Sequence, residues 1–354
     1  MHKPAHTWLA AWLLLGQAII ASEITPVRRV GSNVTFNLEC DRYAEYLIQR
    51  STNLPQWETI RRSFGPSTSR GFQFSSTLPQ AFFRAVQTNE PIAAMGLVAR
   101  TTIMLAGSGS DWPWIDSFDS SDANYSTMGQ YDPLKRKDKA FVATLSTAPG
   151  CINTGSGEIY GIAATAPGGT VIGTVGDGLW CTTMTGIQTN HVRDDFNLTI
   201  PNATLPPASW LPFPFTGTLV NKDYKLTGDL TSGFSVSGTV RVWVVGDVKL
   251  TGAGDSIVIN PGARLEMFIS GTLAEIGGQG ILNGPGSAAS CAIWGLPTCT
   301  SFKYAGSVNF IGRIYAPQAA FTLKGGTDAT GAFTAHSFNF SGSTGIHIDE
   351  ALAR

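Results

Sequence analysis

The segments TVRVWVVGDVKL (Thr239–Leu250) and RLEMFISGTLAEI (Arg264–Ile276) decide the predicted fold, because the second repeats the apolar pattern of the first. Val242 aligns with Met267 when the chain is shifted by 25 residues (267 − 242). Within each segment, apolar and polar residues alternate, which is the period of a β-strand and not of a helix. Strand-built repeats of about 20–25 residues are typical of solenoids, in which each repeat stacks on its neighbour.

Other parts of the chain repeat at slightly different spacings. Val236 recurs as Ile259 after 23 residues (259 − 236), and Ile314 recurs as Phe333 after 19 (333 − 314). We therefore predict an all-β protein whose main domain is a right-handed parallel β-helix (solenoid), preceded by a small β-sandwich. The drift in spacing leaves an ordinary two-sheet β-sandwich as the alternative for the main domain, since a meander of hairpins can mimic such offsets.

The composition agrees with a protein made of short strands and turns. Charged residues make up 14% of the 354 residues, against about 25% in typical soluble domains. Glycine accounts for 40 residues, which disfavours long helices because glycine loses more backbone entropy than other residues on folding. The net charge is −1, so no overall positive field favours nucleic acid as a partner.

The first 22 residues are typical of a secretory signal peptide. Lys3 precedes an apolar run from Trp8 to Ile20, and small residues follow at Ala21 and Ser22. The run is short for a bilayer span, although an uncleaved signal anchor is the alternative, and no second apolar segment of spanning length exists. We expect the mature chain to be secreted or held in the cell envelope.

Two domains are predicted after the signal peptide. Residues 23–90 contain short, partly alternating apolar runs separated by Pro-, Gly- and Ser-rich turns, which indicate the small β-sandwich. Residues 97–354 contain the repeats and form the β-helix-like domain.

Five cysteines fit an oxidising compartment. Cys291 and Cys299 bracket a short Gly/Pro loop that a disulfide could close, and Cys151 and Cys181 could form a second bridge. Connectivity does not follow from sequence alone. The chain has no C-x-x-C pair, which argues against a structural zinc site.

Several phrases of the main domain resemble a domain of unknown function in bacterial envelope and secreted proteins, some of which are associated with pilus assembly. The resemblance covers about Thr102 to Arg354, with the phrases in the family's order, and it implies a β-helix-like fold and an extracytoplasmic location without supplying a reaction. The phrases are IDSFDSSDANYSTMGQYDPLKRKDKAFVAT, GEIYGIAATAPGG, HVRDDFNLTIPNATLPPASW, GLPTCTSFKYAGSVNFIGRIYAPQAAFTLKGG and HIDEALAR. In the first domain, QRSTNLPQW and AFFRAV resemble a small all-β module of secreted bacterial proteins, which serves as a spacer or binding unit.

The strongest catalytic candidates are Asp194 and Asp195, with His191 nearby. Paired carboxylates are the groups that a polysaccharide lyase or hydrolase needs for acid–base work. Adjacent residues of a strand face opposite sides, however, so the two carboxylates converge only where the backbone is irregular. A second candidate is His347, which alternates with Asp349 in GIHIDEA; a carboxylate on the same face could orient its imidazole.

Oxygen ligands for calcium could come from Asp116, Asp119 and Asp122, although their spacing matches no EF-hand loop. A Ser/Asp-rich loop with Asx turns is the alternative. No motif requires a cofactor.

Trp112, Trp114 and Trp210 lie beside prolines in predicted loops, where exposed rings could bind sugars or a protein partner. The same rings could instead cover the sides of the fold. The sequence thus favours a non-enzymatic secreted or cell-surface structural or adhesive protein, with envelope or pilus proteins or surface glycans as partners. A carbohydrate-active enzyme and a lectin-like protein are the alternatives.

Overall fold

The structure is a computed structural model that describes residues 23–40, 45–54, 56–63, 69–75, 81–88, 96–107, 112–215, 217–323 and 326–353. The predicted signal peptide, residues 1–22, lies outside the described residues. The chain divides into two compact units, with the boundary between Glu90 and Pro91. In the described parts of the chain, none of the helices has both the length and the apolar character needed to cross a membrane.

The first unit contains two three-stranded antiparallel sheets around one core, ordered β1-β2-β5 and β4-β3-β6. Its strands are β1 (Glu23–Val30), β2 (Asn33–Glu39), β3 (Glu45–Ser51), β4 (Glu58–Ser63), β5 (Ser69–Ser75) and β6 (Phe82–Thr88). The apolar alternation of β2 turns Phe36 into the core, where its ring lies 5.4 Å from Phe72 and 5.5 Å from Phe83. The sequence pattern missed β1, which contains Pro26 and has a register shift between Thr25 and Arg28. An edge strand is where a sheet tolerates a proline, because proline cannot donate to the ladder.

The second unit begins with strands β7 (Leu97–Ala99), β8 (Ile103–Ala106) and β9 (Trp114–Phe118) and ends with β28 (Gly345–Asp349). Between them lie β10 (Ala140–Thr144), β11 (Ile152–Ala164), β12 (Val171–Gly176), α1 (Gly178–Thr183), β13 (Val192–Arg193), β14 (Leu211–Pro212), β15 (Thr218–Val220), β16 (Asp223–Leu226), β17 (Phe234–Ser237), β18 (Thr239–Val244), β19 (Val248–Leu250), β20 (Ser256–Ile259), β21 (Arg264–Ile269), β22 (Leu273–Ile276), β23 (Gly280–Asn283), β24 (Cys291–Gly295), β25 (Ser301–Tyr304), β26 (Phe310–Leu323) and β27 (Ala329–Ser341). Three short 3-10 helices cover Pro133–Lys135, Ala288–Ser290 and Glu350–Ala353.

Neighbouring strands of this unit pair in parallel, at spacings close to those of the sequence repeat. Val242 of β18 pairs with Met267 of β21, and Val236 of β17 pairs with Ile259 of β20. The apolar members of these pairs face a continuous core of aliphatic and aromatic side chains. The parallel register also excludes the alternative of an antiparallel sandwich for these strands.

The prediction of a right-handed parallel β-helix is nevertheless wrong. The core sheet closes into a six-stranded parallel barrel, in which β7 pairs with β10, β10 with β11, β11 with β9, β9 with β28, β28 with β27, and β27 with β7 again. The remaining parallel strands extend from this barrel, and β15, β17, β20 and β23 form a separate four-stranded parallel sheet.

The barrel closes because the last strands of the chain pair with the first strands of the unit. Phe333 in β27 pairs with Leu97 in β7, and Ile346 in β28 pairs with Ile115 in β9. A repeat pattern relates segments that follow each other along the chain, so it gave no indication of pairs more than 200 residues apart.

A long irregular segment, residues 194–210, joins two distant parts of the sheet; we call it the crossover segment. It follows β13, which pairs with β11, and precedes β14, which pairs with β16. Along its course, Phe196 packs on Phe141 of β10, and the carbonyl of Pro201 accepts a hydrogen bond from the Tyr315 hydroxyl of β26 at 2.6 Å. The prolines in this stretch suit its role, because an irregular segment needs no ladder of N–H donors.

Candidate functional site

The cluster of functional side chains with the closest mutual contacts lies where the first and last strands of the second unit meet. Strands β9 and β28 pair in parallel, and their register places Asp116 opposite His347. Both side chains are buried, with 0% of Asp116 and 1% of His347 exposed. The fold therefore removes an acid and an imidazole from water and sets them side by side.

Asp116 accepts two hydrogen bonds from side chains. Nδ1 of His347 lies 2.7 Å from Oδ1 of Asp116, and the hydroxyl of Tyr131 donates to Oδ2 at 2.7 Å. Because a carboxylate only accepts, Nδ1 of the imidazole carries the proton of this bond. The ring of Tyr131 stacks on His347 with 3.5 Å between the ring centroids. We call these three residues the Asp–His–Tyr cluster.

The electrostatics of the cluster favour a charged imidazole. Burial disfavours the imidazolium, but the hydrogen bond to Asp116 and the negative charges of Asp116 and Asp328 outweigh it and raise the pKa of His347 above its usual value. For Tyr131, burial and then the Asp116 carboxylate raise the pKa of the phenol, so it stays a neutral donor.

The second nitrogen of the imidazole faces a closed part of the structure. Nε2 of His347 is buried and has no hydrogen-bond partner among the described residues, and the nearest carboxylate oxygen, on Asp328, is 3.8 Å away. A Cβ atom at Gly345 would lie 2.7 Å from Nε2 and 2.8 Å from the ring of Trp114, so only glycine fits there. The imidazole has no open side on which a substrate could bind.

A second layer of polar contacts ties the C-terminal residues to the same region. Oδ1 of Asp349 accepts hydrogen bonds from the backbone N–H groups of Ser120 and Ala351, both at 3.1 Å. Burial, and to a smaller extent the charge of Asp119, raises the pKa of Asp349. Nearby, the side chain of Lys137 forms an ion pair with Glu350.

The geometry of this site is that of a structural lock. An acid, an imidazole and a phenol in contact could relay a proton in an enzyme, but such a relay needs a nucleophile or a substrate within hydrogen-bond reach of the free nitrogen. Here the groups instead connect β9, the loop that carries Tyr131, and β28. Sequence reasoning selected Asp116 as a metal ligand and paired His347 with Asp349, so it found both residues and missed their contact. The shared pattern of WIDSF and GIHID, an Ile followed by a polar residue, was the one available signal.

The predicted catalytic group does not assemble into a site. Nδ1 of His191 lies 2.6 Å from the carbonyl oxygen of Gly161, which fixes the ring to β11. Asp194 is exposed and Asp195 is half-buried at the start of the crossover segment. The described contacts include no hydrogen bond between His191 and either carboxylate.

The predicted calcium ligands also have separate partners. Asp116 belongs to the Asp–His–Tyr cluster, Asp119 accepts from the backbone and hydroxyl of Ser121, and Asp122 accepts from Asn124. The last two are the Asx turns that the alternative interpretation expected. In the described ranges, no group of three potential ligands is arranged to hold a metal ion.

The three candidate tryptophans lie in different environments. Trp210 is half-buried and packs on Trp243 at 5.8 Å and on Phe268 at 6.4 Å, so it holds the crossover segment to the sheet. Trp114 is the first residue of β9, and its Nε1 is buried. Trp112 is 37% exposed.

Neither predicted disulfide is present: Cys151, Cys181, Cys291 and Cys299 are buried thiols. The Cβ of Cys299 lies 3.3 Å from the Cβ position of Gly295, at the far end of β24 from Cys291. Four residues of strand span about 13 Å, beyond the roughly 7 Å between Cα atoms that a disulfide can bridge.

The other pair is separated in a similar way. The thiol of Cys181 lies 3.5 Å from the carbonyl of Ile159, well along β11, whereas Cys151 precedes that strand and lies 3.6 Å from the carbonyl of Thr170.

Comparison with known proteins gives a partial match. No curated protein and no solved structure matches the chain. Residues 216–354, which hold the strands from β15 to β28 and thus His347, match the domain of unknown function DUF7305.

Proposed function

We propose that this protein is a non-enzymatic structural or adhesive component of the bacterial exterior or cell envelope. The observation that carries the proposal is the use made of the Asp–His–Tyr cluster. Its groups have catalytic chemistry, yet they are enclosed and hold the first and last strands of the barrel together. A scaffold needs such a lock, whereas an enzyme needs those groups open to a substrate.

The packing of the second unit supports a load-bearing role. Its core runs without interruption from Leu97 to Ile348, and it includes large rings such as Phe302, Phe321 and Phe338. Each fully buried side chain of this kind contributes about 1.5–3 kcal/mol relative to its exposed state. Parallel ladders add backbone hydrogen bonds between successive strands, so that the unit resists local opening.

The location and the partners are proposed from the sequence. Residues 1–22 have the layout of an export signal, and the phrases of the main domain resemble envelope proteins, some of them associated with pilus assembly. We propose a protein of the envelope or of a pilus as the partner, or a surface glycan.

Export is tested by expressing the full chain with a C-terminal epitope in a bacterium and fractionating the cells. We expect the epitope in the envelope or the medium, and in the cytoplasm when Leu13, Leu14 and Leu15 are all replaced by Asp. A wild-type chain that stays in the cytoplasm would contradict the proposed location.

Absence of catalysis is tested by incubating the purified chain with acidic and neutral polysaccharides and measuring reducing ends and unsaturated products. We expect no product above that of the Asp194→Asn, Asp195→Asn double variant. Product formation that the double variant abolishes would establish the carbohydrate-active enzyme instead.

A further inference from the structure

A cleft of about 210 Å³ opens on the surface of the second unit, close to the Asp–His–Tyr cluster. Three cationic side chains, two tyrosines and one carboxylate line it. These residues are Tyr125, Arg136, Lys137, Asp138, Lys139 and Tyr160. We call it the basic cleft.

Arg136 is held in place without using its hydrogen-bond donors. Its guanidinium carbon lies 4.5 Å from the centroid of the Tyr160 ring, and Tyr160 is only 6% exposed, so the ring is a fixed platform. The nearest acid, Asp116, is 4.0 Å from Nη1, beyond hydrogen-bond distance. In the described structure, the N–H groups of this guanidinium therefore have no acceptor.

Lys139 is the second uncommitted cation. Its side chain is exposed, and within the described ranges no carboxylate forms an ion pair with it. Lys137 differs, because it pairs with Glu350 and also lies over the Tyr125 ring at 4.7 Å. Two of the three cations of the basic cleft are thus free to bind an anion.

The acids around the basic cleft already have partners. Asp138 accepts from the backbone N–H of Gly178 at 3.0 Å, and Glu158 accepts from the Tyr160 hydroxyl at 2.6 Å. Glu350 pairs with Lys137, and Asp116 with His347. Each negative charge is compensated locally, so these acids do not neutralise Arg136 and Lys139 in full.

We infer that the basic cleft binds the carboxylate of an acidic monosaccharide unit, such as a uronic acid. A guanidinium fixed on an aromatic ring matches the two oxygens of a carboxylate, and a lysine beside it adds a point charge. The volume lies below the ~300–1,000 Å³ of sites for drug-sized ligands, which fits one sugar ring. Tyr125, 41% exposed at this cleft, offers a hydroxyl to the sugar.

The inference goes beyond the proposed function and does not depend on it, because a scaffold without any ligand would satisfy that proposal equally. It is tested by isothermal titration calorimetry on the full chain with sodium glucuronate, glucose and inorganic phosphate. We expect glucuronate to bind with a Kd of about 1 mM, the order typical of a ligand this small. Glucose should not bind, and phosphate should bind at least about tenfold more weakly, since it lacks the sugar ring.

Two variants locate the binding. Lys139→Gln and Arg136→Lys should each weaken glucuronate binding about tenfold, the second because lysine cannot form the two-pronged contact. The matched control is Lys303→Gln, an exposed lysine on β25, which should bind as the wild type does.

Equal binding of glucose, tighter binding of phosphate than of glucuronate, or no binding at 20-fold above the expected Kd would each overturn the inference. So would an equal loss in the Lys303→Gln control. Unchanged thermal unfolding of the three variants shows that any loss comes from the cleft and not from the fold.

Discussion

Nδ1 of His347 lies 2.7 Å from Oδ1 of Asp116, although 231 residues separate the two in the chain. The contact joins the third strand of the second unit to the last one, and it is buried with no room for a water-exposed ligand on the imidazole. The relationship identifies the closure of the barrel as the place where polar chemistry is used to stabilise the fold.

Asp116→Asn should lower the free energy of unfolding by about 3 kcal/mol, because removing one charge of a buried pair leaves the other without compensation. The measurement is urea unfolding followed by tryptophan fluorescence. Asp194→Asn, at an exposed position, is the matched control and should stay within about 0.5 kcal/mol of the wild type. Equal stability of Asp116→Asn and the wild type would show that the contact contributes nothing.

Stability should fall as the pH rises from 6 to 9, and His347 should account for part of the fall. Its pKa is raised on folding from the ordinary value of 6.5, so its contribution is present below that value and is lost as the pH rises through the folded-state pKa. The stability difference between the wild type and His347→Gln should therefore be larger at pH 6 than at pH 9. Asp349, whose pKa is also raised, acts in the same direction at lower pH, since its contribution is lost as the pH rises above 3.8. A difference that grows with pH would contradict the assignment of the buried imidazolium.

Ile269→Asp should unfold the second unit. Ile269 is fully buried in β21 and pairs with Val244 and Gly295 on the neighbouring strands, so the substitution places an unpaired carboxylate in the core. Circular dichroism and gel filtration report the loss. Lys303→Asp, on the exposed side of β25, should leave both unchanged, and a folded Ile269→Asp protein would refute the register of β18, β21 and β24.

Trp210→Ala should loosen the crossover segment. The ring packs on Trp243 and Phe268, and its truncation should cost about 2 kcal/mol, less than for a fully buried tryptophan. Limited proteolysis should then cleave within residues 194–210. Trp112→Ala is the matched control, since Trp112 is 37% exposed and lies elsewhere. Cleavage at the same sites in both variants would remove the proposed role of Trp210.

The buried cysteines should react with a thiol reagent only after unfolding. Burial raises the pKa of Cys291 to about 12 and that of Cys181 to about 12, so the reactive thiolate is scarce at pH 8. Alkylation of the native and the denatured chain without reductant, read by mass spectrometry, tests this. If the four buried cysteines stay unlabelled even in the denatured, unreduced chain, they form disulfides.

The sequence was sufficient to predict what neighbouring segments do. Val242 and Met267 pair as their 25-residue spacing indicated, because each strand lies beside the next equivalent strand and buries the same face. The spacing failed at longer range: Phe321 pairs with Phe338, 17 residues on (338 − 321), since β27 is shorter than β26 between the two paired parts. A local insertion or deletion changes the spacing without changing the register.

The closure and the Asp–His–Tyr cluster were beyond sequence reasoning for a physical reason. Asp116 and His347 meet because β9 accepts β28 on one edge and β11 on the other, and neither strand carries a pattern that names its partner. Among short apolar strands, many pairings bury similar area, and only the complete chain selects one.

The position of β7 and β9 between the last strands and β11 has a consequence for synthesis. Their partners in β27 and β28 are the final part of the polypeptide to leave the ribosome, so the barrel stays open until translation ends. Contacts this distant in sequence slow folding, which keeps the chain in a form that a secretion channel can thread. A transcript cut short by even its last dozen codons would yield a protein that cannot close, and cellular proteases would remove it.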